Sequence, residues 1–178
     1  AVERYILAAD DSLWLEIEQN PKNKNAAGIV RNIPFLSVGE IRIRVQAGKS
    51  DGYILLGNTL LSPRDPNDAC LRMRFSGDRI YIGAGVPDRQ QNNRRTTEFF
   101  YLAHRIGEEE LYPGTFKPGE VLNISVQYNA ASATARISVN SGERMELKTS
   151  KVFGLTFIGL LVANGGQMRI HSIRTILN

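Results

Sequence analysis

Cysteine, tryptophan and histidine are scarce in this chain of 178 residues, with one, one and two of each. The lone thiol, Cys70, excludes any intrachain disulfide, so the fold must be held by its own core. Cys70 precedes Leu71-Arg72-Met73-Arg74-Phe75 with no nearby histidine, and reads as a structural thiol rather than a nucleophile. No apolar run approaches the roughly 20 residues that a membrane-spanning helix needs, so no membrane span is expected. No basic-then-apolar leader opens the chain either. It begins at Ala1, as a processed product or a piece of a larger multidomain protein would. Excess charge is also modest. The formal net charge of +4 permits attraction to acidic polymers but is not the basic stripe of a nucleic-acid binder, so no nucleic-acid partner is expected. Among oxygen-rich stretches, Asp10-Asp11, Asp51 and Asp65-Pro66-Asn67-Asp68 would suit calcium, yet none has the spacing of a calcium-binding loop. Turn capping accounts for them, and no cofactor is expected.

What the chain has in abundance is alternation. In Leu122-Asn123-Ile124-Ser125-Val126-Gln127-Tyr128 every second residue is large and apolar, and Ala133 to Val139 and Met168 to Ile170 repeat the rhythm. Period two places the apolar set on one side of a pleated strand. Thirteen strands are predicted, at 4–8, 12–18, 27–31, 39–47, 52–57, 69–76, 79–83, 97–104, 121–128, 132–139, 144–149, 156–163 and 167–177. Turn residues punctuate them. The short loops Asn129-Ala130-Ala131-Ser132, Asn140-Ser141-Gly142 and Asn164-Gly165-Gly166 predict hairpins. Within the longer link Gly107 to Gly119, Glu108 to Leu111 reads as a single helical turn. Many short strands with tight turns and 42% hydrophobic residues predict one all-β domain over 1–178, a two-sheet antiparallel sandwich of jelly-roll type.

Several of these strands carry a resemblance. The run from Leu122 to Tyr128, Ala135 to Gly142 with its Val139-Asn140-Ser141-Gly142 turn, Phe157-Ile158-Gly159-Leu160-Leu161 and Met168-Arg169-Ile170 resembles the C-terminal half of the concanavalin A-like lectin/glucanase superfamily. Gly39-Glu40-Ile41-Arg42-Ile43-Arg44-Val45 is similar to its early Gly-x-x-x-x-Arg-Val strand. The resemblance implies a jelly roll, but lectins, hydrolases, lyases and modules without a small ligand share it.

Glucanases of this superfamily carry a Glu-x-Asp-x-x-Glu strand, whose alternation brings an acid and a nucleophile to one face. Here Glu40 is followed by Arg42 and Arg44, and Glu16 and Glu18 lack a third acid. The lyase members use histidine, and no lyase signature surrounds His104 or His171. A hydrolase with Glu16 and Glu18 or Glu40 is therefore the alternative, and a non-catalytic module the expectation. A structural or protein-interaction sandwich without a small ligand is the third reading.

Binding candidates follow from the polar faces. Trp14 shares its strand face with Glu16 and Glu18, where a flat ring suits stacking on a sugar. Tyr81 alternates with Ile80 and Ile82. Arg42, Arg44, Arg72 and Arg74 alternate with apolar residues on their strands, and would form with Tyr81 one basic sheet face whose guanidinium forks pair with carboxylates, including those of acidic sugars. The polar stretch Gly85 to Thr97, holding Asn92 and Arg95, offers further donors and acceptors. The expected partner is thus an oligo- or polysaccharide, acidic ones included, and the expected setting a secreted or cell-surface protein.

Overall fold

Strand β9 (Val121–Asn129) shows the two-residue rhythm directly: Leu122, Ile124, Val126 and Tyr128 are buried, whereas Asn123 and Gln127 are exposed. The computed structural model describes residues 4–7, 15–18, 22, 27–57, 70–85, 109–149 and 154–177. A turn returns β9 into β10 (Thr134–Val139), and Asn140 and Ser141, at φ 53° and 56°, return β10 into β11 (Arg144–Lys148). Two successive positive φ values match the right-handed twist of a hairpin ladder, and the Gly142 amide closes the turn on the Val139 carbonyl at 2.9 Å.

On the other side of β9 lies β4 (Val38–Ala47), with Ile41, Ile43 and Val45 opposite Val126, Ile124 and Leu122. Next come β13 (Gln167–Leu177), β2 (Leu15–Glu18) and β1 (Arg4–Leu7), completing seven antiparallel strands in the order β1-β2-β13-β4-β9-β10-β11. The second sheet runs β3 (Ala27–Leu36), β12 (Leu155–Val162), β5 (Gly52–Gly57), β6 (Cys70–Ser76), β7 (Arg79–Gly85), β8 (Glu109–Leu111).

Between the layers, Ile41, Ile43, Ile124 and Val126 of one sheet meet Ile54, Leu56, Met73 and Ile82 of the other in a shared core. Burying each such side chain stabilises the fold by about 1.5–3 kcal/mol. β5 and most of β12 are apolar without alternation because the outer side of their sheet is covered too. Leu55, Phe157 and Leu161 are at most 1% exposed, although they stand outside the inter-sheet cluster.

The two-sheet antiparallel sandwich is as expected, but three local expectations change. Asn164-Gly165-Gly166 does form a tight turn, the Gly166 amide reaching the Ala163 carbonyl at 2.9 Å. It is no hairpin, because β12 pairs with β3 and β5 while β13 pairs with β2 and β4. Turn chemistry is local, and which sheet the next strand joins is not. Glu109 to Leu111 form an edge strand on β7 rather than a helical turn. Just after it, the buried Tyr112 hydroxyl accepts the Val139 amide at 3.0 Å and donates to the Glu143 carbonyl at 2.5 Å, tying this segment to the other sheet. β3 runs five residues beyond its expected end at 31. Pro34 is tolerated there because β3 is an edge strand with a register shift opposite it. The predicted strand 97–104 lies outside the described residues.

Candidate functional site

The outer face of the seven-stranded sheet is built from the residues that alternate with its core. On β4 these are Glu40, Arg42 and Arg44, on β9 Asn123, Ser125 and Gln127, on β10 Arg136 and Ser138. β13 would present its odd-numbered residues outward throughout, since Met168 and Ile170 are buried. A bulge between Ile170 and Ser172 resets the phase. His171 and Ser172 thereby both lie between core positions Ile170 and Ile173, and Arg174 joins the outer set. One extra residue re-aims the strand. Register then assembles a row across five strands: Arg174, Arg42, Ser125, Ser138, Arg144.

These side chains line a groove of about 560 Å³. At one end Glu40 takes both Arg42 Nε (2.8 Å) and Nη2 (3.0 Å), and accepts the Ser125 hydroxyl at 2.7 Å. The bidentate Arg42 bond, then the Ser125 bond, hold the Glu40 carboxyl below its ordinary pKa, so it is ionised at neutral pH. Further along β4, outside the groove lining, the Gln46 amide donates to the Gly119 carbonyl at 2.8 Å, which turns its oxygen toward His171 Nε2, 2.7 Å away. Burial, then the charges of Arg44 and Arg169, push the His171 pKa down and keep the imidazole neutral. Its Nε2–H therefore donates to Gln46.

The anticipated single arginine face is divided in two. Arg42 and Arg44 belong to β4 in the seven-stranded sheet, whereas Arg72, Arg74 and Tyr81 belong to β6 and β7 in the six-stranded one, on the opposite side of the sandwich. Arg72 is also not a solvent-facing group, at 7% exposure. It pairs with Glu109, reaching past Gly83, which stands between them in register without a side chain. Arg74 binds the same carboxylate at 2.8 Å and lies 4.2 Å over the Tyr81 ring. That cluster pairs its charges internally and anchors β8. Trp14, Asn92 and Arg95 lie outside the described residues, as do the side chains of Glu16 and Glu18.

Arg136, Arg144 and Arg174, with Asn123, Gln127, Ser125, Ser138, Ser141 and Ser172, are polar groove residues that the reading of the sequence missed. Alternation on β9 and β10 marked their polar residues as outward, but gave no sign that β9 adjoins β4 with β10 beside it. Among the described residues no group of three or more His, Cys, Asp or Glu could hold a metal ion, and Asp51 instead accepts the Asn164 amide at 3.3 Å. No helix among them is long and apolar enough to cross a membrane.

Neither a family model nor a curated protein matches the chain. Solved structures do. A glycoside hydrolase family 16 endo-glucanase from Bacteroides ovatus is similar at TM-score 0.66 and 10% identity, over 97% of this chain and 85% of that one. A toad ovary galectin, solved with thio-digalactose, is similar at TM-score 0.52 and 16% identity, over 83% of this chain and 97% of the galectin. A sialidase gives TM-score 0.61 and 14% identity over 93% of this chain, which spans 15% of that protein. The fold is accordingly a two-sheet antiparallel jelly roll like that of these glucanase and galectin structures.

Proposed function

We propose that this chain is a non-catalytic carbohydrate-binding module of a secreted or cell-surface protein. Its oligo- or polysaccharide ligand lies along the outer face of the seven-stranded sheet, from β13 to β11. The observation that carries this is the groove itself: arginine, serine, asparagine and glutamine side chains on one regular sheet, a dense set of donors and acceptors for a hydroxyl-rich ligand. Neighbours of the same fold solved with sugars, the galectin with thio-digalactose among them, support a carbohydrate as the ligand class.

Binding without catalysis is favoured by the carboxylate count. Glycoside hydrolysis uses two carboxyl groups, commonly with one of raised pKa as the acid. Among the described residues lining the groove Glu40 is the one carboxylate, and its pKa is shifted down, opposite to what a general acid needs. It is also engaged by Arg42 and Ser125.

Asn123, exposed in the groove, should contribute one or two hydrogen bonds to the ligand, each worth about 0.5–1.5 kcal/mol net. Asn123→Ala is therefore expected to weaken polysaccharide binding about fivefold in affinity electrophoresis, by the usual conversion of free energy to affinity. Tyr81→Ala, on the opposite sheet, should leave it unchanged. The reverse pattern would move the ligand to the six-stranded sheet and end this assignment.

A further inference from the structure

The groove holds more positive charge than hydrogen bonding to hydroxyl groups calls for. Among the described residues five arginines and one glutamate line it, an excess of four positive charges, as large as the formal net charge of the whole chain. Little of that excess is consumed internally. Glu40 occupies Arg42, and Glu146 accepts Arg136 Nε at 2.8 Å. Arg44, Arg144 and Arg174 are exposed, and no carboxylate or hydrogen-bond acceptor among the described residues engages them. Arg174 also stands directly opposite Arg42 in the ladder. Like charges so placed repel, and an incoming anion relieves that repulsion.

We propose that the ligand is an anionic glycan, an oligosaccharide bearing carboxylate or sulfate groups, and that Arg44, Arg144 and Arg174 grip those groups. This rests on the carbohydrate-binding reading and names its ligand class. Each guanidinium presents a planar fork that matches a carboxylate or sulfate, and such charge-assisted bonds are roughly twice as strong as neutral ones. The geometry sets a length as well. Arg174 and Arg144 end one register row four strand spacings apart, about 19 Å at ~4.8 Å per strand. Only an extended oligomer reaches both, with Ser125 and Ser138 beneath its middle. A glycan suits this row better than a nucleic acid, because no aromatic side chain stands among the described lining residues to stack on bases.

The test compares oligosaccharides of equal length, one neutral, one uronic and one sulfated, with a single-stranded oligonucleotide of matched charge, on wild type and an Arg44→Gln/Arg144→Gln/Arg174→Gln variant. All three positions are exposed, so the variant should melt like wild type. The expected result is that at least one anionic sugar binds about tenfold or more tighter than the neutral one. The variant should lose that advantage, and so should wild type between about 0.15 M and about 1 M salt, where the screening length falls from ~8 Å to ~3 Å. The uronic and sulfated arms show which anion the arginines prefer. Neutral sugars bound equally well, or an unaffected triple variant, would overturn the anionic class and leave the carbohydrate reading standing. An oligonucleotide bound as tightly as the anionic sugars would overturn the glycan assignment. Failure of every sugar to bind would remove both.

Discussion

Glu109→Ala should destabilise the protein by about 3 kcal/mol, the lower end of the range for breaking a buried ion pair. For a chain of this size that lowers the melting temperature by roughly 6–12 °C. The size of the effect follows from what Glu109 holds. One carboxylate on the edge strand β8 serves two guanidiniums from β6: Arg72, whose side chain is 8% exposed, and Arg74 at 23%. Burial of Glu109 opposes its ionisation, yet the Arg74 bonds and the Arg72 charge outweigh that and set its pKa below the ordinary value. With the carboxylate gone, a buried cation beside the Tyr53 ring loses its counter-ion, and β8 is held by its three-residue ladder to β7 and by the Tyr112 bonds beside it. The same ion pair gives a pH dependence. Since the folded pKa is depressed, the stabilisation is complete above the unfolded value of about 4.5 and is lost as pH falls through the folded one. Thermal melts between neutral pH and pH 3 should therefore show a steeper acid loss in wild type than in Glu109→Gln. Parallel curves would contradict the role given to this carboxylate.

Gly39→Ala should cost about 3 kcal/mol, at the upper end of ordinary overpacking. Gly39 sits in β4 between Tyr128 and Leu177. A β-carbon there would overlap the carbonyl oxygen of Ile176 and stand 2.5 Å from Leu36 Cδ1. The carbonyl belongs to the β4–β13 ladder, and Leu36 is fully buried in the core, so neither yields cheaply. Gly154→Ala is the matched control. Its added carbon meets the Phe35 ring, which is 64% exposed and free to swing aside. Urea titrations should show a much lower midpoint for Gly39→Ala and a small change for Gly154→Ala. Equal midpoints would mean that the two strands are not packed as described.

The contrast between two arginine pairs shows how far the sequence could be read. Ile41-Arg42-Ile43-Arg44-Val45 and Leu71-Arg72-Met73-Arg74-Phe75 have the same pattern, and each does bury its apolar members between the sheets. That much is local, because a pleated strand sorts its side chains by parity alone. Exposure of the arginines is not local. Arg42 and Arg44 look out from the seven-stranded sheet, while Arg72 is covered and paired with a carboxylate 37 residues away in sequence. Nothing in either five-residue stretch encodes which sheet it joins. Arg174 was hidden for a different reason: the bulge at His171 reverses the parity of β13, and an isolated count of alternation cannot see an inserted residue. In β5, Tyr53, Ile54, Leu55 and Leu56 are all buried, so this strand is covered on both faces rather than on one, which the sequence reading did not anticipate.

Which face meets the ligand decides whether the account holds, and amide chemical-shift mapping during titration with an anionic oligosaccharide reads it residue by residue. Perturbations should gather on Arg44, Asn123, Ser125, Ser138, Ser172 and Arg174, following two adjacent rows of the seven-stranded sheet. Shifts confined to Arg72, Arg74 and Tyr81, or spread evenly over the molecule, would contradict it.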